Sequence, residues 1–96
     1  MIIGFKDRAT EDLYNGVRSK HSAQIATDIQ SVARRKLDML NAAHRLEYLK
    51  VPPGNRLESL KGKYSGHMSI RVNDQYGIVF KWEHGSASDV RIEDYH

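Results

Sequence analysis

The apolar positions of this chain change their period halfway along it. Ile25, Ile29, Val32, Ala33, Leu37 and Leu40 recur at helical spacing, with Arg34, Arg35, Asp38 and Asn41 largely outside their stripe. The spacing predicts a long helix over residues 23–43. A shorter helix over residues 8–17 precedes it, with Asp7 as N-cap and Glu11 and Asp12 early, where the helix dipole favours acids. Gly16 and the polar run Arg18 to Ser22 separate the two. Met1 to Phe5 is short and apolar and reads as an edge strand. Pro52-Pro53-Gly54-Asn55 then ends any regular element. Beyond it the period is two. Met68, Ile70 and Val72 alternate with Ser69 and Arg71. Tyr76, Ile78, Phe80 and Trp82 alternate with Gly77, Val79 and Lys81, and Val90 and Ile92 with Asp89, Arg91 and Glu93. Asn73-Asp74 and His84-Gly85-Ser86 are the turns between these strands. The expected fold is α+β, with two N-terminal helices packed on a small antiparallel sheet, in one domain over residues 1–96.

Composition narrows the chemistry. The hydrophobic content of 40%, with five Tyr, two Phe and one Trp, argues for a packed core rather than disorder. The absence of cysteine removes a disulfide scaffold, a thiol nucleophile and a thiolate metal site, and suits a reducing cytoplasm. His21, His44, His67, His84 and His96 are scattered without the spacing of a helical metal motif, so no metal or other cofactor is expected. Met1 to Phe5 is too short for a signal segment, and no stretch is long enough for a membrane span.

The net charge of +3 is mild, so its distribution matters more than its sum. Arg56, Lys61, Lys63 and Arg71 fall in a stretch whose one acid is Glu58, and His67 adds a titratable group. Such a stretch can hold phosphates, although charge alone favours an ordinary solvated hairpin. Arg34-Arg35-Lys36 likewise reads as a solvated helix face. Period two turns Arg71 away from the core, because a buried unpaired cation is costly. Asp94-Tyr95-His96 follows a strand-like stretch and brings an acid, a phenol and an imidazole to one strand end. Cations beside proton-transfer groups suit phosphodiester chemistry. The cations would meet the charge that builds in the transition state, and His96 would give or take a proton near neutral pH. RNA carries its own nucleophile, the 2′-hydroxyl. Tyr76, Phe80 and Trp82 share the parity of Ile78, which favours core packing over base stacking.

Pro52 to Glu58, Leu60-Lys61-Gly62, Ser69 to Tyr76 and the terminal Asp94-Tyr95-His96, in this order after two helices, closely resemble the HigB toxins of the RelE/ParE superfamily. The resemblance covers nearly the whole chain. It implies a small cytoplasmic toxin of a type II toxin–antitoxin pair that enters the ribosomal A site and cuts mRNA by metal-independent attack of the 2′-hydroxyl. The implied partner is a HigA-type helix-turn-helix antitoxin, through which alone the pair would touch operator DNA. By motif, Lys61 and Arg71 match the family's phosphate-holding cations. Asp94, Tyr95 and His96 match its catalytic or substrate-orienting group, and Arg56, Lys63, His67 and position 77 would line the RNA. Some HigB toxins carry histidine where this chain has Glu58. The position after Asn-Asp-Gln-Tyr is normally arginine in the family and is Gly77 here, so an attenuated toxin is expected. Two other readings stay open: a ParE-like inhibitor of gyrase, and a catalytically inactive protein that still binds RNA or antitoxin.

Overall fold

The computed structural model describes residues 1–94; Tyr95 and His96 lie outside the described residues. Its elements are α1 (Arg8–Tyr14), α2 (Gln30–Ala42), β1 (Glu58–Ser59), β2 (Met68–Arg71), β3 (Tyr76–Glu83) and β4 (Ser86–Asp94), joined partly through short 3-10 turns. The four strands form one antiparallel sheet in the order β1-β2-β3-β4.

The capping chemistry of α1 follows its sequence. The Asp7 carboxylate accepts a hydrogen bond from the Thr10 amide at 2.8 Å, as expected of an N-cap. The helix stops at Tyr14 rather than Val17. Gly16 turns left-handed at φ 72°, letting the amides of Gly16 and Val17 reach back to the carbonyls of Leu13 and Asp12 at 3.2 and 2.8 Å. Those two bonds form a Schellman closure, which a glycine at this place favours.

The expectation of two N-terminal helices is corrected here. α2 is central in the chain and starts at Gln30, not near residue 23. Side chains compete with the helix before that point. Gln30 Nε2 donates to the Ile25 carbonyl at 2.9 Å, and Ser22 Oγ donates to the Val17 carbonyl at 2.9 Å. Ile25 and Ala26 are extended, and two 3-10 turns replace the predicted first turns of the helix. Met1 to Phe5 makes two isolated parallel bridges to β4, Ile2 with Ala87 and Phe5 with Val90.

The core lies between α2 and one face of the sheet. Leu37, Leu40, Ala43 and Leu49 pack on Ile70, Ile78, Phe80, Ala87 and Val90. Each such side chain contributes about 1.5–3 kcal/mol when fully buried. A second cluster of Leu13, Ile25, Ile29 and Ala33 ties α1 to the start of α2. Phe80 is fully buried and meets Trp82 edge-on at 6.3 Å, in keeping with a packing role. No helix among the described residues is long and apolar enough to cross a membrane.

Lys36 departs from the solvated helix face expected of Arg34-Arg35-Lys36. It is 8% exposed, and its ammonium donates to the Asn55 side-chain carbonyl, itself fully buried. Burial, with the neighbouring charge of Arg35, lowers the lysine below its usual range. Asn55 also donates to the Leu49 carbonyl at 3.1 Å and the Val51 carbonyl at 3.4 Å. The Pro-Pro-Gly-Asn run is thereby tied down onto α2.

Candidate functional site

Of the predicted cations, strand register places Arg71 on the sheet face away from α2. Arg71 pairs with Gly77, and Gly77 with Glu93, so these three positions form one rung across the sheet. Ser69, Val79 and Arg91 form the next rung on the same face, with Glu58 beside Ser69 at the edge. Opposed residues in a ladder share a face. Arg71 therefore looks outward, as period two predicts, and is paired with Asp74 in the hairpin loop. That loop lacks glycine. Asn73 Oδ1 closes it instead, accepting from the Gln75 and Tyr76 amides at 2.9 and 2.7 Å.

Lys61 is exposed just past β1. The Leu60 amide bonds to the His67 carbonyl at 2.9 Å, which puts Lys61 beyond the His67 end of β2. Arg71 closes the opposite end, about 13 Å away at roughly 3.3 Å per residue. Lys61 and Arg71 thus line a track rather than converge on a point. Lys63 and Arg56 are exposed, and Arg56 adopts a left-handed backbone at φ 45°. Gly77 is buried in the middle of its rung. Asp94 is exposed and accepts from Gln75 Nε2 at 2.8 Å. Its register partner is Tyr76, not Gly77, so alternation sets it on the opposite parity from Arg71. The remaining predicted catalytic residues, Tyr95 and His96, lie outside the described residues.

Beside the track, five side chains close a ring that the sequence does not announce. Tyr64 donates its hydroxyl to Glu93. Arg91 Nε donates to Glu93 Oε1 at 3.0 Å, and Arg91 Nη1 donates to the Asp89 carbonyl at 2.9 Å. His67 Nε2 lies 3.7 Å from the Asp89 carboxylate. His67 Nδ1 lies 3.2 Å from the Tyr64 carbonyl, and since a carbonyl only accepts, that nitrogen carries a proton; Nε2 pairs with the Asp89 carboxylate only when the ring is the imidazolium. Arg91 is 3% exposed, a burial tolerable only because both flanking acids meet it. Asp89 sits at a register shift in β4 with φ 56°, and such bulges re-aim side chains.

Electrostatics fix the protonation of Glu93 and Tyr64 within this ring. Burial alone would raise the Glu93 carboxyl. Hydrogen bonds from Tyr64 and Arg91, with the charges of Arg91 and Lys6, outweigh burial and hold it below the usual carboxylate range. The hydrogen bond to Glu93, then burial, raises the Tyr64 phenol. Glu93 thus stays ionised and Tyr64 stays a donor. The acid–cation–acid stripe Asp89, Arg91, Glu93 was legible from alternation. Its partners Tyr64 and His67 were not, because the path of residues 61–67 over β4 is a tertiary fact. Among the described residues no three His, Asp or Glu side chains are grouped to hold a metal.

A separate groove of about 700 Å³ runs between the end of α1 and the start of α2, with Arg18, Ser19, Gln30 and Arg34 among its lining.

Comparison with known proteins bears on both fold and family. Residues 3–96 match the family described as RelE-like toxin of type II toxin-antitoxin system HigB. The chain is 38% identical over 95 residues to Toxin HigB-1 of Vibrio cholerae serotype O1, covering 99% of this chain and 98% of that one. It is 36% identical over 73 residues to an uncharacterized protein of Haemophilus influenzae, covering 76% and 72% of the two chains. A chain of the YoeB-YefM complex from Staphylococcus aureus shares the fold, with TM-score 0.61 and 19% identity over 100% of this chain and 95% of that one. The match across nearly the whole sequence, joined to the close Vibrio cholerae relative, makes this chain a member of the HigB family of RelE-like toxins of type II toxin–antitoxin systems.

Proposed function

We propose that this toxin is a ribosome-dependent mRNA endoribonuclease. In this reading the 2′-hydroxyl oxygen of the message attacks the adjacent phosphorus. The bond from phosphorus to the 5′-oxygen breaks, the 2′ proton passes to a base, and the leaving oxygen gains a proton. The products are a 2′,3′-cyclic phosphate and a 5′-hydroxyl. Arg56, Lys61, Lys63 and Arg71 hold successive phosphates. Asp94, Tyr95 and His96 carry the proton transfers or orient the groups that do. Position 77, on the Arg71 rung, has no side chain to offer phosphate, and the glycine there weakens the grip. The toxin works in the cytoplasm, in the ribosomal A site, and a HigA-type helix-turn-helix antitoxin restrains it and carries the pair to operator DNA.

The observation that carries this reading is the track of cations from Lys61 to Arg71 along the β2 edge, with Asp94 on β4 at the same end of the sheet as Arg71. Cations spaced along a strand suit an extended polyanion, and the charge they meet grows in the transition state.

The test is primer extension on a defined mRNA in a reconstituted translation system, with and without ribosomes. New 5′ ends that need ribosomes are the expected result. Intact message with DNA-damage signalling in cells would replace this reading with a ParE-like gyrase inhibitor. Ribosome binding without cleavage would replace it with an inactive binder.

A further inference from the structure

We propose that Tyr64 and His67 form a two-point clip that fixes the loop bearing Lys61 and Lys63 over β4, making both of them positioning residues for RNA phosphate. The inference rests on the reading that these lysines hold RNA.

The loop needs an anchor. Lys61, Gly62, Lys63, Ser65 and Gly66 are exposed, and Gly62 and Gly66 take left-handed conformations at φ 67° and 87°. Its backbone bonds at 61–67 are local: the amides of Tyr64, Ser65 and His67 return to Lys61, Gly62 and Tyr64 at 3.3, 3.0 and 3.0 Å. The Leu60 amide on the His67 carbonyl at 2.9 Å fixes the base of this turn against β2, but none of these backbone bonds reaches β4.

Two side chains supply the position. Tyr64 donates its hydroxyl to Glu93, and His67 Nε2 lies 3.7 Å from the Asp89 carboxylate, an ion pair when the ring is the imidazolium. The Tyr64 and His67 rings meet edge-on at 6.5 Å, and the carbonyl of one holds the imidazole of the other. The two points therefore move together. Their acceptors are held in turn by Arg91, buried beneath them. The Tyr64 ring also sits between cations of the loop and the strand, with Lys63 Nζ 5.2 Å and the Arg91 guanidinium 5.8 Å from its centroid.

A cation held on a fixed loop loses less freedom on meeting phosphate than one on a loose loop. The clip should therefore act on substrate capture more than on the chemical step.

The experiment uses the full chain and three measurements: hydrogen exchange of the amides at 62–66, denaturant stability, and KM and kcat for cleavage of ribosome-bound mRNA. Tyr64→Phe keeps the ring and removes the hydroxyl; His67→Gln removes the second point without touching the first. Each is expected to speed loop exchange and raise KM by about three- to tenfold, with kcat within about twofold, while global stability changes little. The Tyr64→Phe effect on KM should vanish in a background lacking both lysines, Lys61→Ala with Lys63→Ala. Unchanged loop exchange in both variants would overturn the clip. Raised KM in the double lysine variant, with unchanged KM in Tyr64→Phe and His67→Gln, would overturn the positioning role alone. Unchanged KM in the double lysine variant would overturn the RNA reading of these lysines, and the positioning role with it.

Discussion

Arg71 on β2 and Gly77 on β3 are register partners, so the outward cation stands beside bare backbone on its own rung. An arginine at 77 would stand on the rung between Arg71 and Glu93. If it gains one charge-assisted hydrogen bond to phosphate, the stabilisation is roughly 1.5–3 kcal/mol. Gly77→Arg is then expected to raise ribosome-dependent cleavage by about 10- to 150-fold. Quantified 5′ ends at equal protein concentration check it; an unchanged rate would mean that position 77 does not meet the message.

Glu93 should give the fold an acid limb. Its folded pKa lies below the unfolded carboxyl value of about 4.3. Its contribution is therefore fully present above about pH 4.3 and is lost as pH falls through the lowered folded value. Glu93→Gln is expected to be less stable than wild type at pH 7, with the gap closing under strong acid. Asp12 adds a similar limb, because the Ser19 hydrogen bond, opposed by burial and aided by Arg8, lowers its carboxyl as well. Denaturant midpoints across pH for both proteins measure the difference, and parallel curves would reject the Glu93 share.

Legibility from sequence followed how local each cause is. The N-cap Asp7, the turn at His84-Gly85 and the period-two strands depend on near neighbours, and all three are where the pattern puts them. The start of α2 was misplaced because Ile25 and Ile29 keep helical spacing even though side chains of Ser22 and Gln30 claim the backbone between them. Lys36 was misread because a cation in a basic run signals solvent, and only the fold brings Asn55 to its ammonium. β1, two residues long, carries too little pattern to be read. In the site, parity placed Arg71 and the Asp89–Arg91–Glu93 stripe, whereas the partners across the loop depend on contacts more than twenty residues apart.

The Lys36–Asn55 pair gives an asymmetric prediction. Asn55→Ala removes the side chain that ties Leu49 and Val51 and leaves the ammonium buried without its acceptor. It is expected to cost about 2–4 kcal/mol. Lys36→Met keeps the straight chain and volume, and should stay within about 1.5 kcal/mol of wild type at neutral pH. The lysine's folded pKa is lowered, so its charged-burial penalty is full below that value and gone above the unfolded value of about 10.4. Wild-type stability should therefore gain on the Lys36 account as pH rises through this window, and Lys36→Met should lack that gain. Equal losses from the two substitutions in urea melts would show that Asn55 does not depend on the ammonium in the way the hydrogen bond implies.

Lys61 and Arg71 should act independently. Lys61 lies beyond one end, and Arg71 at the other, of a stretch along β2 from His67 to Arg71 that is about 13 Å long at roughly 3.3 Å per residue, a span suited to different phosphates. Substitutions that far apart with no shared partner add within about 0.5 kcal/mol. Lys61→Ala and Arg71→Ala are each expected to weaken binding to mRNA in the programmed ribosome. Each should also reduce the slope of log affinity against log salt by about 0.7, the value for one single-strand phosphate contact. The double variant should lose the sum of both effects. Arg71→Ala also frees Asp74, whose carboxylate is 95% exposed and so remains solvated rather than orphaned. Titrations at several salt concentrations decide the matter. A double variant no weaker than either single one would mean that the two cations grip a single phosphate, and that the track closes to a point when RNA binds.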